Sequence, residues 1–291
     1  MLRSIKDLHG CNVRASDGEI GSINQVYFDD EAWGVRYLVV DTGNWLHDRQ
    51  VLISPYSLKH VDWSSNAVYV KLTRQQVRDS PTLDTHKPVS RQHEIEYLRY
   101  YSYPTYWGGP NLWGMGAWPA FDAAAQELPA PAPIRPTLNT NRALPDVHLR
   151  STDEVRGYHI ETIDGTIGHV SGFIFDDRAW VLRYLKVDTS NWWPGAKEVL
   201  IATRWIELVD WFAATVSTSL TRDTILRSPG YDDSIPVHRS YEVALHEFYN
   251  REGYWSEPAP PPQTPSSESA QDADSANEDG HSKPRQPPRY E

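Results

Sequence analysis

The sequence predicts a mainly β protein: two tandem small β-barrels, each followed by short helices, and then a disordered C-terminal tail. Three observations carry this. Gly10–Trp45 returns as Gly157–Trp192 without a gap, and 18 of the 36 aligned positions are identical. Unrelated segments would share about one position in fifteen or twenty on ordinary composition, so one module has been copied. Each copy alternates short apolar runs with turn residues at strand spacing. From about Glu257 onward, Pro, Ser, Asp, Glu and Gln replace almost every large apolar residue, leaving too little burial to offset the entropy of ordering.

The elements follow in order. Asn12–Ala15 and Ile20–Phe28 read as strands joined at Asp17-Gly18, a pair that favours a type I′ hairpin because glycine accepts positive φ. Gly21 and its repeat Gly168 sit inside the second strand, where glycine marks the bulge or bend that a small closed barrel needs. Val35–Asp41 is apolar enough to lie in mid-sheet. Val51–Ile53, Leu58–Asp62 and Ala67–Leu72 complete the copy, and Val199–Ile201, Ile206–Asp210 and Thr215–Leu220 repeat them. A helical coda then opens on Thr73 or Thr221 as N-cap and runs into Ser80-Pro81 or Ser228-Pro229. A second helix follows in each copy, at Arg91–Tyr100 and Arg239–Phe248.

The resulting division is 1–101 for the first repeat, 102–147 for an aromatic and Pro-rich linker, 148–255 for the second repeat and 256–291 for the tail. Within the linker, Leu128–Pro133 reads as stiff and extended. A net charge of −11 argues against nucleic acid and anionic lipid as partners. The single cysteine, Cys11, precludes an intrachain disulfide and faces Tyr158 in the other copy, so shared thiol chemistry is not expected. The longest apolar runs are strand-sized and Met1–Asp7 lacks a signal-peptide core, so no membrane span is expected and the expected location is cytoplasmic.

The order of these elements resembles the PRC-barrel family, known from the cytoplasmic domain of the photosynthetic reaction centre H subunit and from a ribosome-maturation factor. The resemblance is carried by Asp17-Gly18-Glu19-Ile20-Gly21, Phe28-Asp29-Asp30, the Trp33–Asp41 strand and Val51–Pro55. The second copy repeats it with Asp164–Gly168, Phe175–Asp177, Arg183–Leu185 and Val199–Ile201. It implies an adaptor or assembly module rather than an enzyme, with some members pairing as dimers. A link to photosynthesis would be a family echo only.

No Gly-x-Ser-x-Gly elbow or Gly-rich phosphate loop appears, and no catalytic residue, cofactor or dedicated metal site is expected. Asp29 and Asp30 with Asp41, echoed by Asp176 and Asp177 with Asp188, could attract a hard cation, but Asp also caps turns of this kind. Arg36 and Arg183, inside apolar strands, are expected to form structural ion pairs with these carboxylates, with Asp41 and Asp188 among the candidates. His47, His60, His86 and His93 lack metal-ligand spacing and read as ordinary solvated side chains. Trp63 and Trp211 read as barrel plugs. Trp33, Trp45, Trp180 and Trp192 fall in turns beside acidic residues, where large aromatics anchor protein interfaces. The expectation is a non-enzymatic adaptor or scaffold whose two barrels pair within the chain and which binds an unidentified protein, with peripheral association with a membrane complex open to it. The alternative is a small-ligand or divalent-cation binder using the acidic turns.

Overall fold

The computed structural model describes residues 1–46, 49–81, 89–119, 149–190 and 197–256. The expected stiff linker Leu128–Pro133 and the expected disordered tail from Glu257 lie outside these residues, as do His47, His86 and Trp192. The chain divides into Met1–Arg251, which holds both repeats, and Glu252–Glu291, in which Tyr254 and Trp255 meet edge to face.

The first repeat contains β1 (Leu2–Ser4), a 3-10 turn at Ile5–Leu8, β2 (Asn12–Ala15), β3 (Gly18–Asp29), β4 (Val35–Asp41), β5 (Gln50–Ile53), β6 (Leu58–Asp62) and β7 (Ala67–Val70), then α1 (Arg74–Arg78) and α2 (Arg91–Tyr100). The second contains β8 (Leu149–Ser151), α3 (Thr152–Val155), β9 (His159–Thr162), β10 (Gly165–Asp176), β11 (Val181–Asp188), β12 (Glu198–Ala202), β13 (Ile206–Asp210) and β14 (Thr215–Thr218), then α4 (Arg222–Arg227) and α5 (Arg239–Phe248). The strand orders are the same, β5-β4-β3-β2-β7-β6 and β12-β11-β10-β9-β14-β13. In both, the pair closing the middle is parallel, β2 with β7 and β9 with β14.

Each sheet curls like a barrel without closing its ladder, contrary to the closed sheet expected from the glycines. The two ends of the first sheet, β5 and β6, are joined by a 3-10 turn at Pro55–Ser57. That turn keeps a hydrogen bond to itself, Ser57 N–H to the Ser54 carbonyl at 2.9 Å, instead of bridging the strands. The expected hairpin is present, but its form differs. Ala15 pairs with Gly18, so Ser16 and Asp17 form the loop and neither has positive φ, as a type I′ turn would require. The carboxylate of Asp17 instead accepts from the backbone N–H of Arg74 at 2.7 Å, capping α1, and Asp164 does the same for Arg222 of α4 at 2.8 Å. Thr73 and Gln76 complete a reciprocal capping box on α1. Gly21 is where β3 crosses closest to β4: a Cβ there would lie 1.9 Å from the Asp41 carbonyl oxygen. At Gly168 the same contact would be 2.3 Å from the Asp188 oxygen.

Each repeat lends its first strand to the other. β1 pairs with β10 (Leu2↔Asp176, Arg3↔Phe175, Ser4↔Ile174), and β8 pairs with β3 (Leu149↔Asp29, Arg150↔Phe28, Ser151↔Tyr27). Leu2–Ser4, placed in the first repeat by sequence, therefore completes the second sheet and raises it to seven strands. Both exchanged strands read Leu-Arg-Ser, so either would suit either sheet, and sequence alone does not separate the two pairings. One apolar core runs through both repeats, with Phe28 of the first against Phe173 of the second at 5.9 Å between ring centroids. Burial of that continuous core makes the two repeats one body.

Candidate functional site at the joint between the repeats

The β3–β4 turn and its copy, the β10–β11 turn, meet back to back. Val35 N–H donates to the Trp180 carbonyl at 2.8 Å, and Leu182 N–H donates to the Trp33 carbonyl at 2.8 Å. Trp33 and Trp180 hold φ of 59° and 52°, a left-handed conformation that costs about 1–2 kcal/mol for a residue with a Cβ. Their indoles are buried, stacked on Phe28 and tilted against Phe175 respectively. The two tryptophans expected at an outer interface thus line an internal one.

The acidic turns face arginines. Asp29 and Arg36 are both buried and pair at 2.6 Å, while the other Asp29 oxygen accepts from Ala32 N–H at 2.6 Å. The Arg36 guanidinium also donates to the Leu112 carbonyl at 2.8 Å and lies 3.8 Å from the Tyr106 ring centroid and 4.7 Å from that of Trp113. Trp113, from the connecting segment, is buried and donates its indole N–H to the Ala179 carbonyl of the second repeat at 2.7 Å. Gly34 makes room for this arrangement, since a Cβ there would stand 2.6 Å from the Arg36 guanidinium carbon.

The copy is looser. Arg183 reaches Asp176 at 3.7 Å with 22% of its side chain exposed. Val181 stands where the first repeat has Gly34, and the rings of Tyr106 and Trp113 cover Arg36 of the first repeat. Asp30 and Asp177 are bound across the joint: Arg150 of β8 reaches Asp30 at 3.6 Å, and Arg3 of β1 reaches Asp177 at 3.1 Å. Each of these arginines also covers an indole, Arg3 over Trp63 at 4.2 Å and Arg150 over Trp211 at 3.9 Å. The four carboxylates of the turns thus meet four guanidinium groups in two symmetry-related sets.

Asp41 and Asp188 take no part in these pairs. Asp41 accepts from Gly43 N–H at 3.0 Å and Asp188 from Ser190 N–H at 2.8 Å, each turning back on its own chain as Asp does at strand ends. The Ser190 hydroxyl and N–H hold the Asp188 carboxyl below the usual aspartate value. Trp45 packs half-buried on the core, gives its indole N–H to the Ile20 carbonyl and lies under Arg74 at 4.4 Å. Among the described residues no cluster of three or more metal-type side chains is present, and no helix is long and apolar enough to cross a membrane.

Residues 2–77 match the family model of the PRC-barrel domain. The first repeat is a PRC-barrel domain. The match begins at the exchanged strand β1 and ends in α1, so it spans the seven strands of the first repeat. The second repeat carries the same strand order and the same parallel pair, and is a second barrel-like domain. Comparison with curated proteins gives no match.

Sequence reading missed a second duplicated set, on the face of each barrel covered by its last helix. The Tyr37 hydroxyl donates to buried Glu94 at 3.3 Å, Tyr106 donates to the same oxygen at 2.6 Å, and Arg91 pairs with Glu94 at 3.3 Å. In the copy, Tyr184 donates to Glu242 at 2.9 Å and Arg239 pairs with Glu242 at 2.9 Å. Burial pushes the Glu94 carboxyl above its ordinary value, against the pull of Tyr106 and Arg91. Burial, then the charge of Glu94, raises the Tyr37 hydroxyl well above its own. The available signal was the shared Arg-x-x-Glu spacing at the start of both helices. The copies also diverge here, since His246 occupies the place of Leu98 and lies 3.0 Å from the Tyr184 hydroxyl.

Proposed function

We propose that this protein is a non-enzymatic scaffold whose fused PRC-barrel pair presents fixed outer surfaces to a protein partner. One observation supports the reading above others: the carboxylates of the repeated acidic turns and the repeated buried glutamates are engaged by arginine and tyrosine. Asp29, Asp30, Asp176 and Asp177 are met by Arg36, Arg150, Arg183 and Arg3, and buried Glu94 and Glu242 by tyrosine and arginine. Groups held this way stabilise a shape. The same pairing weighs against the acidic turns as a divalent-cation site, because a cation there would have to displace buried or half-buried guanidinium groups. Fusion of two self-pairing modules turns a symmetric interface into an internal one and removes its dependence on concentration.

Purification of the full chain from its native cells under mild cross-linking tests the reading. Recovery of a partner protein in fixed stoichiometry is the expected result. Recovery of the chain alone, together with a calorimetric response to calcium or magnesium that Asp29→Ala and Asp176→Ala remove, would overturn it.

A further inference from the structure

A cavity of about 470 Å3 opens at the joint beside β6. Both repeats and the segment between them line it: Leu58, Val61 and Trp63 from the first, Trp180 from the second, and Trp118 from the connection. Trp118 is 61% exposed, a large indole left in water at the rim. β6 is the last strand of its sheet, and its consecutive residues Leu58–Val61 line the opening. A terminal strand carries a row of backbone N–H and C=O groups that an incoming extended chain can pair with.

Charge selects the chain. Lys59 and Arg178 also line the cavity, both exposed, and neither has an ion-pair partner among the described residues. The lining carboxylate, Asp177, is held by Arg3 at 3.1 Å. In a protein of net charge −11, two cations without an ion-pair partner among the described residues, flanking an aromatic groove, form a local site of opposite sign. The duplication supplies an internal comparison. The position equivalent to Lys59 is Glu207, and the position equivalent to Arg178 is Glu31. Both rim charges are reversed in the twin, although Trp63 and Trp180 are kept there as Trp211 and Trp33.

We propose that this groove docks an extended acidic segment of a partner protein. The segment adds along β6, sets an apolar side chain among Trp63, Trp118 and Trp180, and places carboxylates on Lys59 and Arg178. The inference rests on the scaffold reading and names the chemistry of the partner.

The test is fluorescence anisotropy of a labelled short peptide alternating glutamate and valine around a central phenylalanine, titrated with the full chain. Saturable binding that weakens with salt is expected, and the double variant Lys59→Glu/Arg178→Glu should bind at least about tenfold more weakly. The same variant should gain affinity for the peptide with lysine in place of glutamate. Both substitutions are at exposed positions, and an unchanged urea midpoint confirms that the variant is folded. Absence of saturable binding, or equal affinity for wild type and variant, overturns the inference. If the double variant still recovers the native partner in fixed stoichiometry, the groove proposal fails while the scaffold reading stands.

Discussion

Removing the Asp29 carboxylate should destabilise the protein far more than removing Asp176, its equivalent in the copy. Arg36 is 2% exposed, so Asp29→Ala leaves a guanidinium in the interior without its counter-ion. Breaking a buried pair in this way costs about 3–5 kcal/mol. The Leu112 carbonyl at 2.8 Å and the faces of Tyr106 and Trp113 remain and hold the loss towards the lower end. Ala32 N–H also loses its acceptor, adding about 1 kcal/mol. The expected total is about 4 kcal/mol. The Arg183 pair with Asp176 is longer, at 3.7 Å, and its arginine is 22% exposed, so it contributes about 1 kcal/mol or less. Asp176→Ala also loses the acceptor of Arg178 N–H, a further cost of about 1 kcal/mol at an exposed turn. Urea unfolding of the full chain, followed by tryptophan fluorescence, should therefore separate the two variants by about 2 kcal/mol. Asp29→Ala/Arg36→Met should recover most of the larger loss, because the stranded charge is gone. Equal costs for the two single variants would refute the asymmetry argued from burial.

Other outcomes follow from the same geometry. Gly21→Ala and Gly168→Ala force a Cβ to within 1.9 and 2.3 Å of a carbonyl oxygen, and each should cost about 3 kcal/mol or more by urea unfolding. Gly10→Ala, where a Cβ meets nothing within 4 Å, should cost about 1 kcal/mol from its positive φ. Glu94, whose folded-state carboxyl titrates above its ordinary value of 4.5, favours the folded protein most when protonated. Wild type should lose stability relative to Glu94→Gln as pH rises from 4.5 through that raised value, and the difference should be flat below 4.5; a difference that grows as pH falls would contradict this. Arg3→Ala and Arg150→Ala each remove one ion pair across the joint and one cover over an indole. Each should lower stability by about 1–2 kcal/mol, read from the urea midpoint at low and at high salt.

The repeat was legible because strands, turns and caps are local. The Asp-Gly bend, the apolar Val35–Asp41 strand, the Thr73 and Thr221 caps and both closing helices all come from short windows of sequence. The exchange of β1 and β8 is not local. It depends on which of two identical Leu-Arg-Ser tripeptides meets which sheet, a choice made by packing between the repeats and not within a short window of sequence. The acidic turns stood out in the sequence, but half of their partners did not, because Arg3 and Arg150 come from the opposite repeat. Trp33 and Trp180 looked like surface anchors since they lie in turns beside carboxylates. Their burial follows from two copies of one turn meeting across the joint. Buried Glu94 and Glu242 carry no apolar label and were passed over as the polar side of a helix.

The central claim is that each repeat completes the other. Nuclear Overhauser contacts between backbone protons across the short strands test it most directly. Leu2–Ser4 should contact Ile174–Asp176, and Leu149–Ser151 should contact Tyr27–Asp29. Contacts from Leu2–Ser4 to Tyr27–Asp29 would mean that each barrel keeps its own first strand, and the account of a mutually completed pair would be wrong.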